Sequence, residues 1–186
     1  MVTETKQDLA ARINSAVGVD VNRCYQCGKC TAGCPMAPYM DLAPSRVMRL
    51  VQIGDEASID KLLTGSAIWS CAACLTCTQR CPQDLDPAAV IDALREMSYY
   101  QHKVPAKQQK VVAFHRAFLD TVRASGRMSE IPLIRRYKLA SLDLLADVML
   151  APLMVARGKL PFRIHRIKGW REMRKIFDAC EKGKAE

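Results

Sequence analysis

Residues Cys24–Pro35 read CYQCGKCTAGCP, and forty-seven residues further along the chain Cys71–Pro82 read CAACLTCTQRCP. In each stretch cysteine occupies every third position three times, and a fourth cysteine follows after three more residues and precedes a proline. This is the bacterial spacing for two [4Fe–4S] clusters, in which three thiolates of one stretch bind the irons of one cube. The fourth cysteine of such a stretch usually binds the other cluster. The sequence therefore predicts two [4Fe–4S] clusters, each bound by cysteines from both stretches.

The predicted ligand sets combine three cysteines of one stretch with the last cysteine of the other. The first cluster is predicted to be bound by Cys24, Cys27, Cys30 and Cys81. The second cluster is predicted to be bound by Cys71, Cys74, Cys77 and Cys34.

Cysteine has other uses in proteins. A secreted disulfide scaffold is disfavoured because the N-terminal MVTETKQDLAARI is charged and has no apolar core of a signal peptide. The regular spacing favours metal binding in a reducing cytoplasm instead. Two zinc sites with four cysteines each remain an alternative, although structural zinc sites typically use separated CxxC pairs. The ninth cysteine, Cys180, is expected to be a surface or buried thiol without a ligand role.

The connection between the two stretches indicates the fold class. Thirty-six residues separate Cys34 from Cys71, and apolar residues recur there with helical spacing. A small two-cluster ferredoxin has short connections and strands, so we expect an all-α, α-helical ferredoxin-type domain. The predicted helices of this half of the chain are Thr5–Val17, one beginning at Pro44, one capped by Ser58 or Asp60, and Ala88–Tyr100 after the Asp86–Pro87 pair.

Charge divides the chain into parts. Residues 1–101 carry nine lysines and arginines against eleven acidic residues, whereas residues 102–186 carry nineteen against eight. We expect an N-terminal helix in 1–19, the two-cluster domain in 20–101 and a basic helical extension for subunit docking in 102–186. A nucleic-acid-binding role for the basic extension remains a remote alternative, since single-strand binders interleave more aromatic residues with their cations.

Asp143 and Asp147 interrupt the most apolar stretch, so no transmembrane segment is expected.

Side chains next to the cysteines predict how the clusters are surrounded. Gly28 and Gly33 are expected to let the backbone approach the sulfurs, and the hydroxyls of Ser70, Thr76 and Thr78 to donate to sulfurs of the second cluster. The two clusters are therefore expected to have unequal potentials. Trp69, Tyr25 and Tyr39 are expected to shield the loops from water. Outside the cysteine stretches we expect no internal repeat and no catalytic substrate site.

The segments NRCYQCGKCTAGCP and IWSCAACLTCTQRCPQDLDPAAVIDALREM resemble the small iron–sulfur subunit, the C subunit, of heterodisulfide reductases and their bacterial homologues. The similarity spans about Asp20 to Tyr100. It implies a helical ferredoxin fold and a cytoplasmic relay that passes single electrons between a flavin-containing subunit and a separate catalytic subunit. The catalytic subunit of that family reduces a disulfide at clusters held by CCG motifs, and this chain has no adjacent cysteine pair.

A second interpretation within redox proteins is the iron–sulfur subunit of another dehydrogenase or of a quinone-interacting oxidoreductase. Those proteins usually join the helical domain to a plant-type ferredoxin, a CCG region or a membrane part. The sequence shows none of these.

The domain division leads to a first prediction. A chain truncated after Gly126 should keep the iron of both clusters but assemble less well with its partner subunits, because most of the basic extension is gone. Iron analysis and native gel electrophoresis of the truncated chain would check this. Loss of iron on truncation would show that the division between domain and extension is wrong.

Overall fold

The computed structural model describes residues 6–18, 20–142, 151–158 and 166–182. Within these residues the chain forms helices and turns without a β-strand, so the all-α prediction is confirmed. The chain divides into two compact units, Met1–Gln108 and Gln109–Glu186. Both cysteine stretches lie in the first unit.

Seven helices make up the described part of the first unit. They are α1 (Lys6–Val17), α2 (Lys29–Ala32), α3 (Pro44–Ile53), α4 (Glu56–Thr64), α5 (Ala67–Ser70), α6 (Thr76–Gln79) and α7 (Pro87–Tyr100). Three 3₁₀ turns lie among them, at Val21–Arg23, Ala37–Tyr39 and Ala106–Gln108. The short helices α2 and α6 lie inside the two cysteine stretches, and α3 and α7 are the longer helices that follow them.

The predicted helix boundaries are confirmed where proline or glycine marks them. Pro44 is the first residue of α3, and Gly54 ends it with φ +61°, a conformation that favours glycine. Asp86 caps α7, since its Oδ1 accepts a hydrogen bond of 3.0 Å from Ala89 N. The predicted cap of α4 is wrong. Asp55, rather than Ser58 or Asp60, is the cap, and its Oδ1 accepts a 2.8 Å bond from Ser58 N.

The core of the first unit lies between α1, α3, α4 and α7. Its fully buried apolar side chains include Ile13, Val47, Met48, Val51, Leu62, Leu63, Ile91 and Leu94. Ser98 on α7 lies among them, and its hydroxyl donates a 2.7 Å hydrogen bond to the carbonyl of Leu63 on α4. This core fixes the positions of α3 and α7, the helices that follow the two cysteine loops.

The described part of the second unit contains α8 (Gln109–Ser125), α9 (Glu130–Ser141), α10 (Ala151–Ala156) and α11 (Trp170–Lys182). Arg123 on α8 forms ion pairs with Asp178 and Glu181 on α11. The apolar face of α8 is only partly covered, since Phe114, Phe118 and Leu119 are exposed. The stretch that contains Asp143 and Asp147 lies outside the described residues. Among those that are described, no helix is long and apolar enough to cross a bilayer.

The Asp55 cap leads to a stability prediction. Asp55→Ala should lower the apparent free energy of unfolding by about 1 kcal/mol, because the first turn of α4 loses the acceptor for Ser58 N. Denaturant titration of the anaerobically purified protein would measure the change. Asp55→Asn is the matched control, since asparagine caps helices about as well as aspartate. An equal loss in both variants would contradict the assigned cap.

Candidate cluster-binding site

The structure brings the eight cysteines of the two stretches together in two groups of four around two separate cavities. The first cavity is lined by Cys24, Cys27, Cys30 and Cys81. The second cavity is lined by Cys34, Cys71, Cys74 and Cys77. The grouping matches the ligand sets predicted from the spacing, including the exchange of Cys34 and Cys81 between the stretches.

The cysteine loops share one backbone conformation. The second and fourth residues after the first cysteine have positive φ in both loops, at Gln26 (+61°) and Gly28 (+78°) and again at Ala73 (+50°) and Leu75 (+59°). Three of these four residues are not glycine, and such residues seldom adopt this conformation. Both loops are therefore held in the same uncommon shape, which turns successive cysteines toward one cavity.

The two glycines have different surroundings. A Cβ at Gly28 would meet no protein atom within 4 Å, and glycine suits the positive φ of this residue. A Cβ at Gly33 would lie 2.7 Å from Cδ of Arg80. Gly33 and Arg80 occupy equivalent positions in the two stretches, so the arginine of one stretch lies in the space left by the glycine of the other.

Threonines tie each short helix to the longer helix that follows it. Thr31 Oγ1 accepts a 3.0 Å hydrogen bond from Ser45 N at the start of α3. Thr78, the equivalent residue, donates a 2.7 Å bond to Asp86, the cap of α7. The Ala43 position before α3 provides no side-chain cap, so Thr31 supplies the acceptor from the other side. Each cysteine loop is thus anchored to the N-terminus of its own following helix.

The cavity walls show that the internal repeat extends beyond the cysteines. Residues at equivalent places on α3 and α7 line opposite cavities in the same way: Ser45 and Met48 with Pro87 around the first, Ala88 and Ile91 with Pro44 around the second. The expectation that nothing outside the cysteine stretches repeats is therefore wrong. The repeat was not visible in the sequence because equivalent positions carry different side chains, such as Met48 and Ile91.

Hydrogen bonds to sulfur differ from those expected. Gln26 Nε2 lies 3.5 Å from Cys24 Sγ, and Ala73 N lies 3.4 Å from Cys71 Sγ. Of the three hydroxyls, that of Thr76 lies 3.4 Å from Cys74 Sγ, and that of Thr78 interacts with the Cys77 thiol as well as with Asp86. Ser70 instead donates to the carbonyl of Ser66. Potential tuning by the Ser70 hydroxyl therefore has no support from these contacts.

The thiols themselves lie in different surroundings. Burial raises the pKa of the Cys30 and Cys77 thiols, because it disfavours the thiolate. The hydrogen bond with Thr76 lowers the pKa of Cys74. Buried thiols become thiolates when a metal replaces the proton, so this donor set fits a bound cluster. Among the described residues, no three cysteine, histidine or acidic side chains form a group suited to a single metal ion.

Each cavity has one cysteine at the protein surface. Cys27 and Cys74 are exposed, and the neighbouring Tyr25 and Leu75 are 59% and 50% exposed. Trp69 is buried, but Tyr39 is 76% exposed. Tyr25 interacts with the Cys27 thiol, so shielding of the loops by the two tyrosines stays a prediction. One cysteine of each group is therefore accessible from the protein surface.

Among the described residues, Cys180, His102 and His115 line neither cavity. Cys180 is exposed on α11 in the second unit, and His115 is exposed on α8. His102 follows α7 with a positive φ of +55°. His165 lies outside the described residues.

Comparison with protein families identifies the cysteine-rich region. The model of the 4Fe–4S dicluster domain matches residues 20–85. This agrees with the two groups of four thiols, so the chain binds two [4Fe–4S] clusters, as the cysteine spacing predicted.

Curated relatives confirm the resemblance in this region. The chain is 37% identical over 87 residues to the C subunit of the ferredoxin:CoB-CoM heterodisulfide reductase of Methanosarcina acetivorans, covering 47% of this chain and 33% of the relative. It is 30% identical over 111 residues to the C 2 iron-sulfur subunit of the CoB–CoM heterodisulfide reductase of Methanocaldococcus jannaschii, covering 60% of this chain and 58% of the relative. The chain thus spans between a third and three-fifths of the length of these two relatives.

Another relative matches over more of the chain. The 8-methylmenaquinol:fumarate reductase iron-sulfur subunit of Wolinella succinogenes is 29% identical over 174 residues, covering 85% of this chain and 52% of the relative. The chain therefore contains a 4Fe–4S dicluster domain that is similar in sequence to the C subunits of heterodisulfide reductases.

Proposed function

We propose that this chain is the electron-transfer subunit of a heterodisulfide reductase-type complex. The observation that carries the proposal is the pair of four-cysteine cavities in one compact unit, each with one cysteine at the surface. A relay between two other proteins needs this arrangement, because an electron must enter near one cluster and leave near the other.

The proposed ligands are those predicted from the sequence. Cys24, Cys27, Cys30 and Cys81 bind one cluster, and Cys71, Cys74, Cys77 and Cys34 bind the other. The cavities support these sets, since each is lined by one set and by no cysteine of the other.

The chain's own residues hold and cover the cofactors. When bound, each cluster supplies one-electron transfer at a potential that the surrounding charges and hydrogen bonds adjust. Met48 and Ile91 provide apolar walls that keep water from the inner side of each cavity. Cys27 and Cys74 occupy the outer side. The Arg80 side chain lies against Gly33 and so brings the two loops into contact.

The proposed partners are a flavin-containing subunit and a CCG-motif catalytic subunit of the same complex. Two electrons and two protons convert a disulfide to two thiols, and the chain would deliver these electrons one at a time. The names of the heterodisulfide reductase relatives support this assignment. The proposal places the chain in the cytoplasm, where cysteines stay reduced.

The Wolinella relative supports a second candidate function. Its similarity reaches into the second unit of this chain, and its printed name assigns it to a menaquinol:fumarate reductase. The same two-cluster relay would then connect a different pair of redox partners, as the iron–sulfur subunit of another dehydrogenase or quinone-interacting enzyme.

The exchange of the fourth cysteines generates a prediction for paired variants. Cys34→Ser combined with Cys74→Ser should damage one cluster and leave about half of the iron, because both residues belong to one proposed set. Cys34→Ser combined with Cys30→Ser should damage both clusters. Iron analysis and electron paramagnetic resonance of the reduced proteins would distinguish the two pairs, with Cys180→Ser as the control. If each stretch bound its own cluster, the two patterns would be reversed.

A pull-down from the source cells tests the partners. The tagged chain, purified anaerobically at low salt, should retain a flavoprotein and a CCG-containing protein, both identified by mass spectrometry. Recovery of a fumarate reductase-type flavoprotein would support the second candidate instead. Salt-sensitive recovery of nucleic acid without any redox subunit would contradict both.

A further inference from the structure

Two side chains at equivalent positions of the internal repeat hold the entrances of the two cysteine loops. Gln52 is the eighth residue after Pro44, the first residue of α3, and Arg95 is the eighth residue after Pro87, the first residue of α7. Both side chains point toward the segment that leads into the first cysteine of their own stretch.

The two residues bond to the same pair of backbone carbonyls. Gln52 Nε2 donates to the carbonyls of Val21 and Cys24, at 3.2 and 2.7 Å. Arg95 donates through Nε to the carbonyl of Ile68 and through its second terminal nitrogen to that of Cys71. In each loop the acceptors are the first cysteine and the residue three positions before it. We call these two side chains, Gln52 and Arg95, the clamps of the loops.

The two clamps differ in charge. Gln52 is neutral, and its Oε1 accepts a 3.0 Å bond from Gln26, whose amide group also lies next to Cys24 Sγ. Arg95 brings a permanent cation to the backbone of Cys71, and its side chain is only 17% exposed. Its ion pair with Asp92, at 2.9 Å, offsets part of that charge, but the Asp92 side chain is 58% exposed and better screened by water.

We infer that the residue at this clamp position, neutral Gln52 in the first loop and cationic Arg95 in the second, adjusts the reduction potential of each cluster separately. Reduction adds one negative charge to a cluster, and a nearby cation with little exposure to solvent favours that charge. Arg95 therefore raises the potential of the cluster bound by Cys71, Cys74 and Cys77. Gln52 makes the equivalent hydrogen bonds to the backbone of the first loop but brings no charge to the first cluster.

Each clamp shifts the potential of its own cluster, but the clamps alone do not determine which of the two clusters has the higher potential. Exposed Lys29 lines the first cavity, where the equivalent residue of the second stretch is Thr76, and it adds a cation of its own to the first cluster. Exchanging the clamps leaves Lys29 and Thr76 in place, so their contributions cancel in the comparison.

The test exchanges the two side chains in the full-length holoprotein. Arg95→Gln should shift the reduction equilibrium of the second cluster at least threefold toward the oxidised form and leave the first cluster unchanged. Gln52→Arg should shift the equilibrium of the first cluster toward the reduced form by a similar factor. Redox titration followed by electron paramagnetic resonance gives both potentials, and the Cys34/Cys74 double variant identifies which signal belongs to which cluster.

Two further variants separate charge from packing. Arg95→Lys keeps the cation and should keep the potential of the second cluster close to that of the unaltered protein. Lys61→Gln removes an exposed charge from α4 and should move neither potential. If Arg95→Gln lost its cluster, Gln52→Arg would decide the question from the other loop. Unchanged potentials in Gln52→Arg, or equal shifts of both clusters in Arg95→Gln, would overturn the inference.

The role of the clamps rests on the two-cluster relay proposed above, but the two would fail in distinguishable ways. The same preparations give the iron content and the copurified partners, which test the relay itself. Two intact clusters with partners bound and potentials insensitive to the clamps would leave the relay standing and reject the role of Arg95 and Gln52.

Discussion

The arrangement of this molecule depends on the requirement that four thiolates surround each cluster while no stretch of the chain supplies all four. A loop with cysteines at every third position reaches three corners of a cube, and the remaining sulfur must come from elsewhere. With the proposed ligands it comes from the other loop, since Cys81 lines the first cavity and Cys34 the second. The helices α3 and α7 complete the walls of the two cavities, because each helix supplies wall residues to one cavity and a proline to the other.

The loops show how a fixed backbone tolerates different side chains. Gly28 and Leu75 occupy equivalent positions with positive φ, although only glycine adopts that conformation readily. Tertiary contacts hold Leu75 in this conformation: Thr78 is bonded to the cap of α7, and Arg95 binds the carbonyl of Cys71. In the first loop Thr31 and Gln52 make the equivalent hydrogen bonds, although Thr31 accepts a bond where Thr78 donates one and Gln52 is neutral where Arg95 is charged. The shape is thus set by anchors on either side of the cysteines rather than by the intervening residues.

The sequence was sufficient for the fold class, the presence of two [4Fe–4S] clusters and the boundaries marked by Pro44, Gly54 and Asp86, because each follows from a local rule with a narrow set of solutions. It was insufficient for contacts between distant residues. The donors that hold the loop entrances, Gln52 and Arg95, are unlike in type and carry no motif. Their equivalence became visible only when the carbonyls they bind were compared. The wrong prediction for the cap of α4 has the same cause. Asp55, Ser58 and Asp60 all have side chains that can cap a helix, and the backbone geometry places Asp55 at the cap.

The crossing of Cys34 and Cys81 also bears on how the protein acquires its cofactors. With the proposed ligands, a first cluster fixes Cys81 at the end of α6, and α6 carries Cys77, a ligand of the second cluster. Filling one cavity therefore orders part of the other before it is occupied. Maturation of the unaltered chain should then be cooperative, because filling the first site has already removed much of the conformational entropy that ordering the second site would cost.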